Sequence, residues 1–443
     1  MIFSSIEFLI FFLLFTLSIK IFPHYQRTLI IIFSLFFYSY WNPIFILLVL
    51  FLCFSCYLFI KQNISLKVSI PITLIPLFYF KYSFFIGNLF DSNLLISYSY
   101  KASLPLAISF ITFTAIAILI DVKTKKYTEE LNFFSFSEFL IYFPQLIAGP
   151  ILRAKELIPS LRGKIIFTNE NIKFGILLFT IGFIKKIFFA DSIAVYIDPI
   201  FEDPTLANSK DLVKAYLLFP LQIYFDFSGY VDMALGISKI LSIDLPINFN
   251  KPYLSKSITD FWRNWHITLS NWFRDYIYIP LGGSRNSSTK LYFNLIITMS
   301  VAGLWHGASI NFILWGFLNG LLLFLEKKIN RFFNLNNLFK ISLTCFVVFN
   351  LWIVFRIQNF AIMNQFFIQL YTNLNTIFYK ENLILIILVL MGIYSQKFDN
   401  YESIKSISKK VKLVYLSPII IMIILTGLAL NTGTSEKFIY FDF

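Results

Sequence analysis

Residues 291–308 read LYFNLIITMSVAGLWHGA, an apolar run of 18 residues that holds one side chain titrating near neutral pH, His306. As a helix such a run extends about 27 Å, close to the roughly 30 Å of a bilayer's hydrocarbon core. An ionisable group at that depth is costly and tends to mark a functional pathway. Its neighbours Gly303, Gly307 and Ala308 are small, which leaves open volume around the imidazole and allows close helix approach. The bland alternative is a histidine that only hydrogen-bonds a neighbouring helix.

Similar runs fill the chain on either side: 2–22, 27–41, 43–60, 67–87, 103–120, 171–190, 211–236, 309–326, 339–356, 381–396 and 412–430. With 291–308 they amount to about a dozen candidate spans. Of the 443 residues, 58% are hydrophobic, 20% aromatic and 14% charged, and the mean hydropathy is +0.73. That is well beyond an ordinary soluble domain. The sequence therefore predicts an all-α polytopic membrane protein, a single integral membrane domain over 1–443. Run 2–22 lacks a basic start and a small-residue cleavage site and reads as a retained span rather than a signal peptide.

The net charge of +13 would suggest nucleic acid in a soluble chain. Here the cations sit mostly in connectors, where they face lipid headgroups and fix topology, so membrane lipid rather than nucleic acid is the expected partner. With the N-terminus outside, the cytoplasmic connectors hold Lys20 and Arg27, Lys61 and Lys67, Lys123 to Lys126, Arg153 to Lys164, then Lys327, Lys328 and Arg331, and finally Lys405 to Lys410. Asp191, Asp198, Glu202 and Asp203 fall outside. Cys53, Cys56 and Cys345 lie in apolar runs and suit helix packing.

Two stretches do not read as plain spans. Residues 137–151 are apolar but short and contain Pro144 and Pro150, which suggests a segment that enters the membrane and turns back under shelter from other helices. Residues 256–285 are dense in Trp, Arg and Tyr and read as an interfacial or re-entrant helix. On that helix Arg263, His266, Ser270 and Arg274 share one face, while Trp262, Trp265, Leu269, Trp272 and Tyr276 supply an aromatic one.

Only three histidines occur, His24 in a basic connector and His266 and His306 in polar-aromatic surroundings. A neutral imidazole can take a proton from a hydroxyl during acyl transfer, because its unperturbed pKa of about 6.5 lies near working pH. Asp226, Ser228 and Asp232 place two carboxylates in an apolar setting, where each needs a partner; Arg263 or Arg274 is the candidate. Asn311 and Asn319 read as interhelical hydrogen bonders. No metal-ligand spacing, Gly-x-Ser-x-Gly elbow or phosphate loop is present, so no metal is expected.

Five blocks in order resemble the membrane-bound O-acyltransferase family, in the bacterial branch of alginate O-acetylation, peptidoglycan O-acetylation and teichoic acid D-alanylation membrane proteins. They are Tyr142-Phe143-Pro144-Gln145 with Ala148-Gly149-Pro150; Asp226-Phe227-Ser228-Gly229-Tyr230 with Asp232-Met233-Ala234; and Asp260-Phe261-Trp262-Arg263 with Trp265-His266. Arg274-Asp275-Tyr276 with Tyr278-Ile279-Pro280-Leu281-Gly282-Gly283, and Gly303-Leu304-Trp305-His306-Gly307, complete the set. The ending Phe438-Ile439-Tyr440-Phe441-Asp442-Phe443 looks like the acetylating branch.

The resemblance implies a ring of tilted helices around a central tunnel in a bacterial inner membrane. Through it a cytoplasmic thioester, acetyl-CoA and no tightly bound cofactor, would serve an extracytoplasmic polysaccharide hydroxyl or a periplasmic partner; the teichoic acid branch would instead take D-alanine from a carrier-protein thioester. It makes His306 the essential histidine and His266 the second, with Trp305, Trp262, Trp265, Arg263, Arg274, Asp275, Asp226, Ser228, Asp232 and Gln145 in support. Asn264 departs from the pattern, standing where many relatives carry a second basic residue. The length favours a peptidoglycan type over the longer alginate type. A multi-pass transporter or flippase is the rival reading, but both histidine motifs fall in the second half and no inverted repeat is evident.

Overall fold

Each apolar run folds as helix in the computed structural model, which describes residues 1–92, 104–147, 149–285, 288–329, 336–372 and 379–430; no strand occurs among them. Ala148, Arg331 and the ending 438–443 lie outside the described residues. Four helices are long and apolar enough to cross a membrane: Leu66–Leu89, Ile310–Lys328, Asn337–Arg356 and Leu413–Leu430. Ile6–Ile21 with Pro23–Ser39, bent by 111°, forms a fifth candidate. The expected dozen is thus seen as helices, while full-length apolar crossings number four or five among the described residues. Length explains part of the difference, since Ile6–Ile21 has 16 residues and Phe45–Lys61 has 17, about 24–26 Å of helix. Polarity explains more, because Ser288–His306 is diluted by Asn294, Thr298, Ser300 and His306.

The chain divides into two units. The first comprises Met1–Ile181, Tyr230–Pro246 and Val411–Ile420. At its centre the rings of Phe11 and Phe15 stand edge-on to Phe143 at 5.2 and 5.3 Å. Phe143 begins the short helix Phe143–Leu146, which follows Phe133–Ile141 in the stretch expected to be re-entrant. This irregular backbone is sheltered within the unit: residues 135–147 are buried, and side chains satisfy their loose ends. Asn132 Oδ1 accepts from Ser135 N at 2.8 Å, and Ser34 Oγ accepts from Phe143 N at 3.2 Å. Gln145 Nε2 donates to the carbonyls of Phe139 and Leu140 at 2.7 and 3.2 Å, closing the end of the preceding helix. Gly149 packs onto the backbone of Gln145 so closely that a methyl group there would overlap it.

The second unit comprises Gly182–Gly229, Ile247–Lys410 and Ile421–Phe443. Its framework is a hairpin of Ser288–His306 and Ile310–Ile329. Three glycines let these backbones touch: a Cβ on Gly303 would overlap the Phe312 carbonyl, one on Gly316 the Met299 carbonyl, and one on Gly320 would lie 2.7 Å from Ile296 Cα. The close approach expected from Gly303 is present, and on the Gly307 side the space is filled by the ring of Phe312. Asn311 Nδ2 donates to Ile357 O at 2.7 Å, and Trp262 Nε1 donates to Asn319 Oδ1 at 3.1 Å, so both asparagines tie the hairpin to other elements as expected. Cys345 packs with its Sγ 3.1 Å from Tyr253 O.

Overpacking a close-fitted core costs on the order of 1–3 kcal/mol. Gly316→Val should therefore lower the thermal midpoint of the detergent-solubilised protein by several degrees. An unchanged midpoint would show that the hairpin does not depend on this contact.

Candidate functional site

The stretch 256–285 does not form one helix. Ser257 caps Ile258–Asn264, its Oγ accepting from Asp260 N at 3.0 Å, and Glu326 Oε2 accepts from Thr259 N at 2.9 Å in the same first turn. The chain then breaks: Trp265 is extended and His266 is left-handed at φ 42°, ψ 56°. A second helix, Ile267–Phe273, follows and widens into a π-helical turn, Arg274–Tyr278. Asn248 supports the break from outside. Its carbonyl accepts from Ile267 N at 3.0 Å, and its Oδ1 accepts from Thr268 N at 3.1 Å and Thr268 Oγ1 at 2.7 Å. The orphan N–H groups at the start of the second helix are thereby satisfied by a residue 18 positions before His266.

The break corrects the expected common face of Arg263, His266, Ser270 and Arg274. Arg263 is exposed on the first helix, whereas Ser270 and Arg274 line a cavity beside the second. Breaking the helix instead turns His266 inward, where it is 1% exposed and neither ring nitrogen has a hydrogen-bond partner among the described residues. Phe227 meets the imidazole edge-on at 4.7 Å, and Trp305 lies 6.1 Å away on another side.

His306 ends the helix Ser288–His306 and is 4% exposed. Its ring is surrounded by Trp305 at 4.9 Å, Phe355 at 5.1 Å and Trp315 at 5.3 Å. Trp305 therefore neighbours both imidazoles and joins them in one aromatic chamber. Beside His306 opens a cavity of about 170 Å³. Ala302, Thr298 and Leu295 line it along one stripe of the helix, and Leu269, Phe273 and Trp262 wall it from the two short helices. Arg274 and Tyr278 also border it; the Arg274 guanidinium is held by Asp275, Nε to Oδ1 at 2.8 Å. Trp265 is buried behind the site, packed on Phe261, Phe249 and Trp352 at 5.6, 5.0 and 4.8 Å.

The structure thus assembles His266, Trp305, His306, Trp262, Arg274 and Asp275, with Trp265 as backing. Asp226 and Ser228 belong to the same unit, on the helix Ser209–Ile240, flanking the ring of Phe227. Gln145 and Asp232 belong to the first unit. Neither expected arginine pairs with Asp226: Lys186 Nζ does, at 2.8 Å, and also reaches Asp191 Oδ1 at 2.7 Å. Lys186, Phe227 and Asn248 were not singled out from sequence. The signal for Lys186 was present, since Lys185 and Lys186 interrupt the apolar run 171–190 and need carboxylate partners as much as Asp226 needs a cation.

Backbone and side-chain roles of His266 can be separated. Asn tolerates the left-handed region far better than a β-branched residue, for which it costs about 1–3 kcal/mol. His266→Asn should keep the thermal midpoint near that of the parent chain, and His266→Val should lower it clearly. Equal midpoints would mean that the break carries no strain.

With this geometry in view, the chain can be set beside known proteins. Residues 30–367 match the model of the membrane-bound O-acyltransferase family. The chain is 36% identical to the probable alginate O-acetylase of Pseudomonas aeruginosa over 391 residues, covering 82% of this chain and 73% of that protein. It is 35% identical to the peptidoglycan O-acetyltransferase of Helicobacter pylori over 382 residues, covering 76% and 72%. Identity to the teichoic acid D-alanyltransferase of Bacillus subtilis is 31% over 244 residues, covering 50% and 60%. The resemblance carried by the histidine motifs extends over most of the chain, which belongs to the membrane-bound O-acyltransferase family and is an O-acyltransferase.

Proposed function

We propose that the chain moves an acetyl group from a thioester donor, acetyl-CoA, to a hydroxyl of an extracytoplasmic polysaccharide or of a periplasmic partner, from the bacterial inner membrane. The observation that carries this reading is the pair of buried imidazoles that share Trp305 as a neighbour, one of them opening onto an apolar cavity. Size supports a small acyl group. An apolar cavity of about 150 Å³ takes up benzene, so about 170 Å³ suits an acetyl group together with its sulfur and the first methylenes of the thioester arm. Coverage supports acetyl over D-alanyl, because the acetylating relatives align with 82% and 76% of this chain and the D-alanylating one with 50%.

His306 acts as general base. Its neutral imidazole takes the proton of the acceptor hydroxyl as that oxygen attacks the thioester carbonyl; the tetrahedral intermediate then expels the thiolate, which recovers the proton from the imidazolium. His266, buried and without a hydrogen-bond partner among the described residues, orients the hydroxyl or the carbonyl oxygen by pairing with it. Arg274, at the cavity with its guanidinium side chain 56% exposed, meets the anionic part of the donor as it arrives from the cytoplasm along 256–285. The rings of Trp262, Trp315 and Phe355 keep water from the thioester.

Removing a general base typically costs 10²- to 10⁴-fold. His306→Ala should therefore reduce acceptor-dependent release of CoA thiol from acetyl-CoA by at least about 10²-fold, with expression and membrane insertion unchanged. Retained turnover in an inserted His306→Ala protein would exclude this assignment. Silence of the parent protein with every acetyl acceptor, but turnover with a D-alanyl carrier thioester, would move it to the other branch. Reconstitution with and without a periplasmic acetyltransferase partner tells whether the polysaccharide is acetylated directly.

A further inference from the structure

Two adjacent buried lysines sit in the π-helical turn Lys185–Asp191. Lys185 Nζ meets Asp399 Oδ2 at 2.6 Å, where the Tyr224 hydroxyl also donates at 2.6 Å. Lys186, its side chain 1% exposed, bridges Asp191 and Asp226, and the Asp226 side chain is 4% exposed. Within such a pair desolvation offsets most of the attraction, so net stability is a weak reason for it; replacing both ions by apolar residues is often tolerated. Registry is the better attested use.

What is registered lies at the next residue. Phe227, fully buried, presents its edge to the imidazole of His266 at 4.7 Å and 88°. Gly229 shares a helix face with Asp226 and presses on the same turn from which Lys186 comes: a Cβ there would lie 2.8 Å from Gly182 O and 3.1 Å from Lys186 N. Asp226 and Gly229 together therefore fix the rotation and height of the helix Ser209–Ile240 where it offers Phe227. His266 has no hydrogen bond among the described residues to set its ring, so ring contacts set it.

We propose that Lys186 is a positioning residue: its ion pair with Asp226 holds Phe227 against His266 and so orients that imidazole for acyl transfer. This rests on the reading of His266 as acting beside His306. Small misplacements of catalytic groups cost up to about 10²-fold. In the full-length protein in lipid nanodiscs, the triple variant Lys186→Met, Asp191→Asn and Asp226→Leu, which removes all three charges of the bridge, should keep the thermal midpoint and the KM for acetyl-CoA. Its kcat should fall by about tenfold to 10²-fold. Lys186→Arg should retain most of the activity, and Phe227→Leu should lose about as much as the triple variant, with no further loss when it is added to the triple variant. Selective ¹⁵N-histidine spectra, with three histidines to resolve, should show the His266 signal shifted and the His24 signal unmoved. A triple variant with the parent's kcat and an unshifted His266 signal overturns the proposal. So does a loss of kcat that tracks a loss of thermal midpoint, which marks a structural role. If the parent itself fails with acetyl-CoA, the donor assignment falls separately, and the comparison is made with the D-alanyl carrier.

Discussion

The left-handed backbone of His266 is where local and tertiary forces meet. Uninterrupted, residues 258–278 would form one amphipathic helix with its aromatic residues on one side and its polar residues on the other. Ending that helix at Asn264 and restarting it at Ile267 exposes a second set of backbone donors, each costly if buried unpaired. Asn248 meets that cost with its carbonyl and its side chain together. In return the imidazole points into the protein instead of along the surface, and Trp265 turns inward to join Phe249, Phe261 and Trp352. The cavity beside His306 depends on the same event, because the second short helix supplies its Leu269, Phe273 and Arg274 wall.

A second constraint comes from the glycines of the hairpin. Gly303, Gly316 and Gly320 bring Ser288–His306 and Ile310–Ile329 into backbone contact. Lipid supplies no hydrophobic drive for two apolar helices to associate, so close packing of this kind has to hold them. That contact fixes Trp315 beside His306 on one side of the chamber, and Asn319, one turn further, holds Trp262 on the cavity side. Rigidity of the hairpin and placement of the His306 ring are thus one property of the sequence.

Much of the helical layout was legible from apolar run length alone, down to ends that differ by a few residues, because a span must satisfy its own backbone and only a helix or a closed barrel does so. His306 was legible for the converse reason, as a polar group in a run that otherwise excludes it. Periodicity failed at 256–285, since a 100° rotation per residue cannot register a break supported by Asn248, a residue outside the stretch. It failed again for Asp226, where the nearest arginines in the motifs were preferred over Lys186, a residue hidden in a run read as plain span. Composition likewise could not say that Phe312 fills the space beside Gly307, or that the cavity opens instead along Ala302 and Thr298.

The π-helical turns connect these cases. A π turn holds an extra residue, so neighbours that an α-helix would send in fixed directions are re-aimed, and such turns occur often at functional sites. Lys185–Asp191 sends two consecutive lysines to two separate carboxylates, Asp399 and Asp226, without leaving either in lipid. Arg274–Tyr278 does the corresponding work at the cavity: Arg274 and Tyr278 both border it, while Asp275 turns back to hold the guanidinium. Each wide turn lies in a sequence whose charges look misplaced on a regular helix. In a chain this apolar, the wide turns let charged side chains reach their partners while the neighbouring helix faces stay apolar.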